Sequence, residues 1–335
     1  MDAILTCEDL RGYYKPRFGD TVQAVDCVSF ELREGEILGI AGESGCGKST
    51  LARCIMNMYS ASLKHVGGRV LFKGDDILRM SKEEFRQKIL GVEISYVPQS
   101  AMNALNPMAK IKNVVWDLMR SHFPEVSYAE TMERAKFRLD MLELPYRVLE
   151  CYPNELSGGM KQRVVIMLSS LLNPSVLIAD EPTSALDVST QKALVKMFHQ
   201  FIDEGVVKSI IFITHDLTTL RHVSSRIAVM YAGQLVEVGT VEELVFQPVH
   251  PYTEALISSI LVPEKGVRDK TMISIPGTPP DLRNPKPGCR FYPRCMYREE
   301  RCMEKEIELI EVNGRLVRCL KTANDYDASR VVNER

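Results

Sequence analysis

Glu36-Ile37-Leu38-Gly39-Ile40-Ala41 runs straight into Gly42-Glu43-Ser44-Gly45-Cys46-Gly47-Lys48-Ser49, and residues 48–59 then contain neither Gly nor Pro. This succession of apolar strand, glycine-rich turn and helix constrains the chain more than any other stretch. Glycines let backbone N–H groups turn inward around an anion, and the helix start adds the positive end of its dipole. Lys48 adds a cation and Ser49 a hydroxyl able to ligate Mg²⁺. The candidate phosphate contacts are therefore Gly42, Ser44, Gly45, Cys46, Gly47, Lys48, Ser49 and Thr50. The loop needs a strand before it and a helix after it, so the fold expected is α/β with parallel strands joined by crossover helices.

Further along, Val176-Leu177-Ile178-Ala179-Asp180-Glu181 is a hydrophobic strand ending in two carboxylates. Asp180 is placed to hold Mg²⁺ with Ser49, and Glu181 to polarise an attacking water as general base. Between the two halves lies Leu156-Ser157-Gly158-Gly159-Met160, whose bare glycines at a helix start make a second anion site. Residues 3–40 alternate apolar and polar positions and read as several strands. Residues 101–153 read as helical, while Ile210 to Thr214 returns to the core. Ala232-Gly233-Gln234 reads as a hairpin turn, and Thr240 with Glu243 as a capping box.

Bulk properties narrow the class. The chain has 335 residues, 45% of them hydrophobic and 26% charged, with a formal net charge of -2. That is an ordinary soluble composition without the basic field of a nucleic-acid binder. No apolar run approaches the roughly 20 residues of a membrane-spanning helix, and the N-terminus lacks the basic start and apolar stretch of a secretory signal. A cytosolic location is expected, with any membrane attachment made through partners.

At these motifs the chain resembles the ATP-binding cassette (ABC) family. The resemblance implies a P-loop NTPase nucleotide-binding domain with a RecA-like core, an antiparallel β subdomain and a helical subdomain at about residues 100–160. Gln99, in Tyr96-Val97-Pro98-Gln99, matches the family's Q-loop glutamine, which links Mg²⁺ and water to the helical subdomain. His215 matches the switch histidine on the γ-phosphate. Ser184-Ala185-Leu186-Asp187 resembles the D-loop that communicates across a two-subunit interface. Ser157, Gly158 and Gly159 would face the γ-phosphate held by the opposite subunit; Met160 stands where many relatives have Gln. Tyr13, Tyr14 and Phe18 compete to stack on adenine, and spacing favours Tyr14. ATP over GTP rests on the resemblance.

The markers His250-Pro251-Tyr252-Thr253, Ile275-Pro276-Gly277-Thr278-Pro279-Pro280 and Gly288-Cys289-Arg290-Phe291-Tyr292-Pro293-Arg294-Cys295 are similar to those of oligopeptide and dipeptide importer ATPases. The likeness covers about residues 3–320. It implies a motor at the cytoplasmic face of the membrane, working with a second ATPase (identical or related), two membrane permease subunits and an extracytoplasmic substrate-binding protein. Nickel and oligosaccharides remain alternative cargoes. A soluble ABC ATPase of DNA repair or translation and a non-catalytic ATP sensor are the competing classes; one cassette without heptads or basic patch argues against the former, Glu181 against the latter.

Composition shifts after Leu261, where a boundary is expected between residues 1–261 and a Pro- and Cys-rich C-terminal extension, 262–335. The prolines of residues 276–293 exclude regular helix and central strand there. The stretch is poor in apolar residues, so its cysteines are expected to hold it together. Cys289, Cys295, Cys302 and Cys319 lack the Cys-x₂₋₄-Cys pair usual in zinc sites. Four thiolates suit a [4Fe–4S] cluster, which similar importer ATPases are thought to carry, with zinc and free or disulfide-linked thiols as alternatives. Arg290, Arg294, Arg298 and Arg301 are expected to offset thiolate charge or to be solvated. Cys7, Cys27, Cys46, Cys54 and Cys151 read as unpaired thiols.

Overall fold

In the computed structural model, residues 2–99, 104–184, 186–259 and 275–321 are described. In chain order the strands are β1 (Ala3–Tyr14), β2 (Val22–Arg33), β3 (Ile37–Ala41), β4 (Leu63–Phe72), β5 (Asp75–Asp76), β6 (Ile94–Val97), β7 (Val176–Asp180), β8 (Ser209–Ile213), β9 (Arg226–Tyr231), β10 (Gln234–Thr240), β11 (Ile310–Val312) and β12 (Arg315–Val317). The helices are α1 (Lys48–Ile55), α2 (Lys82–Lys88), α3 (Ile111–His122), α4 (Tyr128–Met141), α5 (Gly158–Ser170), α6 (Val188–Asp203), α7 (Leu217–Val223), α8 (Val241–Phe246) and α9 (Pro251–Ser258). They group into two compact units. One comprises Met1–Leu5, Glu31–Ile37 and Leu71–Thr214; the other comprises Thr6–Phe30, Leu38–Val70 and His215–Arg335.

In the first unit β6, β7 and β8 run parallel, with Val97 opposite Ala179 and Asp180 opposite Ile213. Every residue of β7 and β8 is buried. A parallel strand covered on both faces reads as a continuous apolar run. Each large side chain buried this way contributes about 1.5–3 kcal/mol, so the core here is fixed by composition alone. Because the strands end in register, the residues that follow β6 and β7 emerge at their carboxyl ends, where open α/β sheets bind ligands.

Within residues 101–153, the stretch read as helical, the structure places α3 and α4. Ile111, Val115 and Met119 of α3 are buried at a spacing of four, one face of an amphipathic helix. Ser127 starts α4 by accepting from the Glu130 N–H. Arg138 of α4 is buried and donates to the Ser170 carbonyl and to Asn173 Oδ1. Desolvation pushes its pKa down to about 10.

In the second unit the strands order as β2-β1-β4 and as β11-β12-β10-β9-β3. β3 pairs parallel with β9, and β9 turns back into antiparallel β10. Ala232 (φ 48°) and Gly233 (φ 87°) are both left-handed at that turn, the conformation that suits the twist of a two-residue hairpin. Thr240 and Glu243 form the expected capping box on α8. α1 is shorter than the sequence predicts: it ends at Ile55, and Asn57 at φ 51° turns the chain away.

The described C-terminal residues, 275–321, contain neither helix nor strand before a single 3-10 turn at Tyr292–Arg294. They are held from outside rather than by a core of their own. Gln23 donates its N–H to the Leu282 carbonyl at 2.9 Å, and β12 adds to the sheet by pairing with β10, Glu237 opposite Val317. All nine cysteines are free thiols. The expected boundary at Leu261 lies outside the described residues.

Candidate nucleotide site

The expected site residues fall in both units, and each group has its own geometry. In the second unit the phosphate loop follows β3 and opens α1, whose N-terminus no side chain caps. Gly47 is the N-cap and is left-handed at φ 113°; a Cβ there would lie 2.1 Å from the Ala24 carbonyl oxygen. A Cβ on Gly42 would lie 2.2 Å from that of Met230. Both positions admit only glycine, because the loop is pressed against backbone. Lys48, buried, donates from Nζ to the carbonyls of Gly42 (2.7 Å) and Glu43 (3.0 Å). Burial raises the Cys46 thiol pKa while Lys48 opposes the rise, so this cysteine fills space as a neutral group.

Of the three aromatics, Tyr14 lies against the start of α1: its hydroxyl is 3.3 Å from Thr50 Oγ1 and its ring is half-buried. Tyr13 is spent on Asp26, to which its hydroxyl donates, and Phe18 is 84% exposed. His215 is exposed at the mouth of the turn into α7, where Asp216 caps by accepting from the Thr218 N–H.

In the first unit Asp180 ends β7 and is buried; Tyr96 of β6 donates its hydroxyl to Asp180 Oδ2 at 2.9 Å. Glu181, also buried, is left-handed at φ 50°. A non-glycine residue pays of order 1 kcal/mol or more for that region and persists there only when its surroundings dictate it. Here its N–H is fixed on the Ile213 carbonyl at 2.8 Å, and its Oε2 accepts from Thr214 Oγ1 at 3.3 Å. Backbone strain thus aims the carboxylate expected to act as general base. Tyr96 and Thr214 hold these two carboxylates, a role that the sequence reading assigns to neither.

Gln99 is exposed just after β6. Ser157 is the N-cap of α5, with its Oγ accepting from the Met160 N–H at 3.3 Å, and Gly158 and Gly159 are the helix's first residues. Asp187 caps α6: its carboxylate accepts from the N–H and hydroxyl groups of Ser189 and Thr190, which hold it well below the usual carboxylate range. Its geometry is that of a helix start. Ala185 of the same loop lies outside the described residues.

The C-terminal segment of the second unit corrects the expectation for its arginines. Arg290 is buried and pairs with Asp26, while also donating to Gln23 Oε1 and the Ala232 carbonyl. Arg294 is buried and bidentate on Glu43, the second residue of the phosphate loop. Neither is solvated; desolvated guanidinium groups need such partners. Arg298 and Arg301 are exposed, as expected.

Cys289, Cys295, Cys302 and Cys319 all line one small cavity. Burial raises the pKa of Cys289 (to about 12), Cys295 and Cys319, and the neighbouring thiols of the set raise them further. Among the described residues no group of three or more His, Cys, Asp or Glu is disposed to hold a metal ion, so the expectation of zinc or a cluster at these cysteines is not supported. No described helix is long and apolar enough to cross a membrane.

Residues 25–184 match the family model described as ABC transporter, and residues 236–302 match that of the oligopeptide/dipeptide transporter C-terminal region. The chain is 41% identical over 315 residues to the dipeptide transport ATP-binding protein DppD of Caldanaerobacter subterraneus subsp. tengcongensis, covering 94% of this chain and 95% of that one. It is 37% identical over 326 residues to the oligopeptide transport ATP-binding protein OppD of Escherichia coli, covering 97% and 95%. Among solved structures, a dimeric bacterial ABC transporter cassette superposes with a TM-score of 0.63 at 28% identity, over 71% of this chain and 98% of that one.

Proposed function

The chain belongs to the ABC transporter family of ATP-binding proteins, and we propose that it is the ATP-hydrolysing motor subunit of an importer of di- and oligopeptides. The observation carrying this reading is near full-length similarity to peptide-transport ATP-binding proteins, extending into their characteristic C-terminal region. The local geometry supports the chemistry. An uncapped helix start with Lys48 suits a triphosphate, and two buried carboxylates follow one another at a strand end.

Gly42 to Thr50 hold the phosphates and Tyr14 stacks on adenine. Ser49, Asp180 and Gln99 offer hydroxyl, carboxylate and amide oxygens, a donor set that suits Mg²⁺. Held there, Mg²⁺ would supply positive charge against that developing on the phosphates. Glu181 takes the proton of the water that attacks the γ-phosphorus, the bond to the bridging oxygen breaks, and ADP and phosphate leave. His215 steadies the γ-phosphate. Ser157, Gly158 and Gly159 complete the site of a second ATPase subunit, identical or related, with Asp187 at that junction. Closure and reopening of the pair would drive two permease subunits supplied by an extracytoplasmic binding protein, with this chain peripheral at the cytoplasmic face. Residues 1–261 form the motor and 262–335 the extension. Its four cysteines suit a [4Fe–4S] cluster by number, softness and shared cavity.

Co-purification with the permease subunits and ATPase assay in vesicles test the assignment: peptide with its binding protein is expected to stimulate hydrolysis, and Lys48→Ala to abolish it. Stimulation by nickel or oligosaccharide instead would replace the cargo; hydrolysis without permease association would replace the transporter. Anaerobically purified protein is expected to absorb near about 400 nm, and Cys289→Ser to lose the band; stoichiometric zinc would reject the cluster.

A further inference from the structure

The C-terminal segment reaches the phosphate loop directly, and all the contacts lie within one unit. Arg294 donates from Nη1 to Glu43 Oε2 at 2.8 Å and from Nη2 to Glu43 Oε1 at 2.9 Å. Its Nε donates to the Pro276 carbonyl at 2.8 Å, and Nη1 also reaches the Tyr231 hydroxyl at 3.3 Å. The guanidinium is therefore oriented before it meets the carboxylate, and its side chain is only 5% exposed. The same Glu43 is held at a second point, since its N–H donates to the Tyr252 hydroxyl at 3.0 Å. Its carbonyl, in turn, is one of the two on which Lys48 rests. Tyr252, Tyr231 and Phe291 pack ring on ring, with centroids 4.5 to 5.4 Å apart, behind these contacts. One loop residue thus has its side chain fixed by residue 294, its amide by residue 252 and its carbonyl by the loop lysine.

We propose that Arg294 is a positioning residue for the phosphate loop: by clamping Glu43 it sets the loop's first turn, so that affinity for MgATP depends on the C-terminal segment. This rests on the ATPase reading above. A bidentate Arg–carboxylate pair fixes orientation as well as distance, and misplacing a binding group by about 1 Å can cost about a hundredfold. Losing the clamp while Tyr252 still holds the amide should cost less.

The test uses the full chain, with equilibrium binding of MgATP and steady-state hydrolysis. Arg294→Ala is expected to raise Kd and KM for ATP about tenfold, with kcat at saturating ATP within about twofold of wild type. Arg294→Lys, which keeps the charge but not the fork, should fall between them. The exchanged pair Glu43→Arg with Arg294→Glu should recover part of the affinity lost by either alone. Arg138→Ala serves as the control: Arg138, in the other unit, joins α4 to the Ser170 carbonyl and Asn173 Oδ1, and its loss should lower thermal stability without moving Kd. If Arg294→Ala does not fold, Arg294→Lys and Glu43→Gln carry the same reading. Unchanged Kd in a folded Arg294 variant, or an equal loss in Arg138→Ala, overturns the clamp alone. Failure of the wild type to bind ATP would bring down the ATPase reading and this one with it.

Discussion

The phosphate loop and the end of β7 are held in place by opposite means. Glu43 of the loop takes its partners from 209 and 251 residues away, through Tyr252 and Arg294. Glu181 takes its own from the next strand, 33 residues off, and from a strained backbone turn of its own. The carboxylate proposed as general base is set by local covalent geometry and a neighbouring strand, which leaves little freedom. The binding loop is set by buried charges at long range, and can be loosened without touching any residue of the motif. Damage to the first should appear in turnover, and damage to the second in affinity and stability.

The largest effect is expected from Glu181→Gln. General base catalysis is worth about 10²–10⁴-fold, so turnover should fall about a thousandfold while equilibrium ATP binding persists. Hydrolysis at the wild-type rate would remove Glu181 from its role and break the contrast on the carboxylate side. Arg290→Met should come next. It leaves Asp26, which is 4% exposed, with only the more distant guanidinium of the part-exposed Arg11, at 3.8 Å. Removing one partner of a buried pair costs about 3 kcal/mol, measurable as a lower denaturant midpoint with kcat little changed.

Acid should separate the two regions. His250 is fully buried, its Nδ1 accepts the Tyr252 N–H at 3.0 Å, and its pKa is pushed down to about 3, by burial first and by Arg318 second. The Phe291 ring packs beside it, and Glu237 takes the His250 backbone N–H at 2.9 Å. Because the folded-state value lies below the ordinary 6.5, the unfolded chain binds the extra proton. The contribution is complete above about pH 6.5 and is lost as pH falls towards about 3. His250→Asn keeps a capping acceptor but cannot be charged, so its melting temperature should fall less steeply than wild type between these limits. Parallel curves would show that His250 does not make the loop side acid-sensitive. Smallest is Tyr96→Phe, which removes the hydroxyl on Asp180. A hydrogen bond to a charged group is worth about 1.5–3 kcal/mol, the low end applying to an already supported group, so turnover should drop by about tenfold. A larger loss would show that the carboxylate side also leans on distant contacts.

Much of the architecture was legible because it is written in local pattern. A continuous apolar run gave β7 and β8, the stretch read as helical at 101–153 holds α3 and α4, and Ala232-Gly233 and Thr240 with Glu243 gave a turn and a cap. The Asn313-Gly314 turn between β11 and β12 carries an equally strong local hairpin signal, set in the Pro- and Cys-rich extension. Glu181's strain and Tyr96's hydrogen bond had no local mark. The markers around Tyr252 and Arg294 could be seen as markers, yet nothing in them named Glu43 as their common target.

By itself, then, the chain's order of residues determined the strands, the helices, the turns and which chemical groups stand at their ends, because steric preference and side-chain periodicity act over a few residues. Only the tertiary structure decided which buried charge meets which. An arginine's need for a carboxylate is encoded in its chemistry, whereas the identity of that carboxylate follows from folding that brings residue 294 to residue 43.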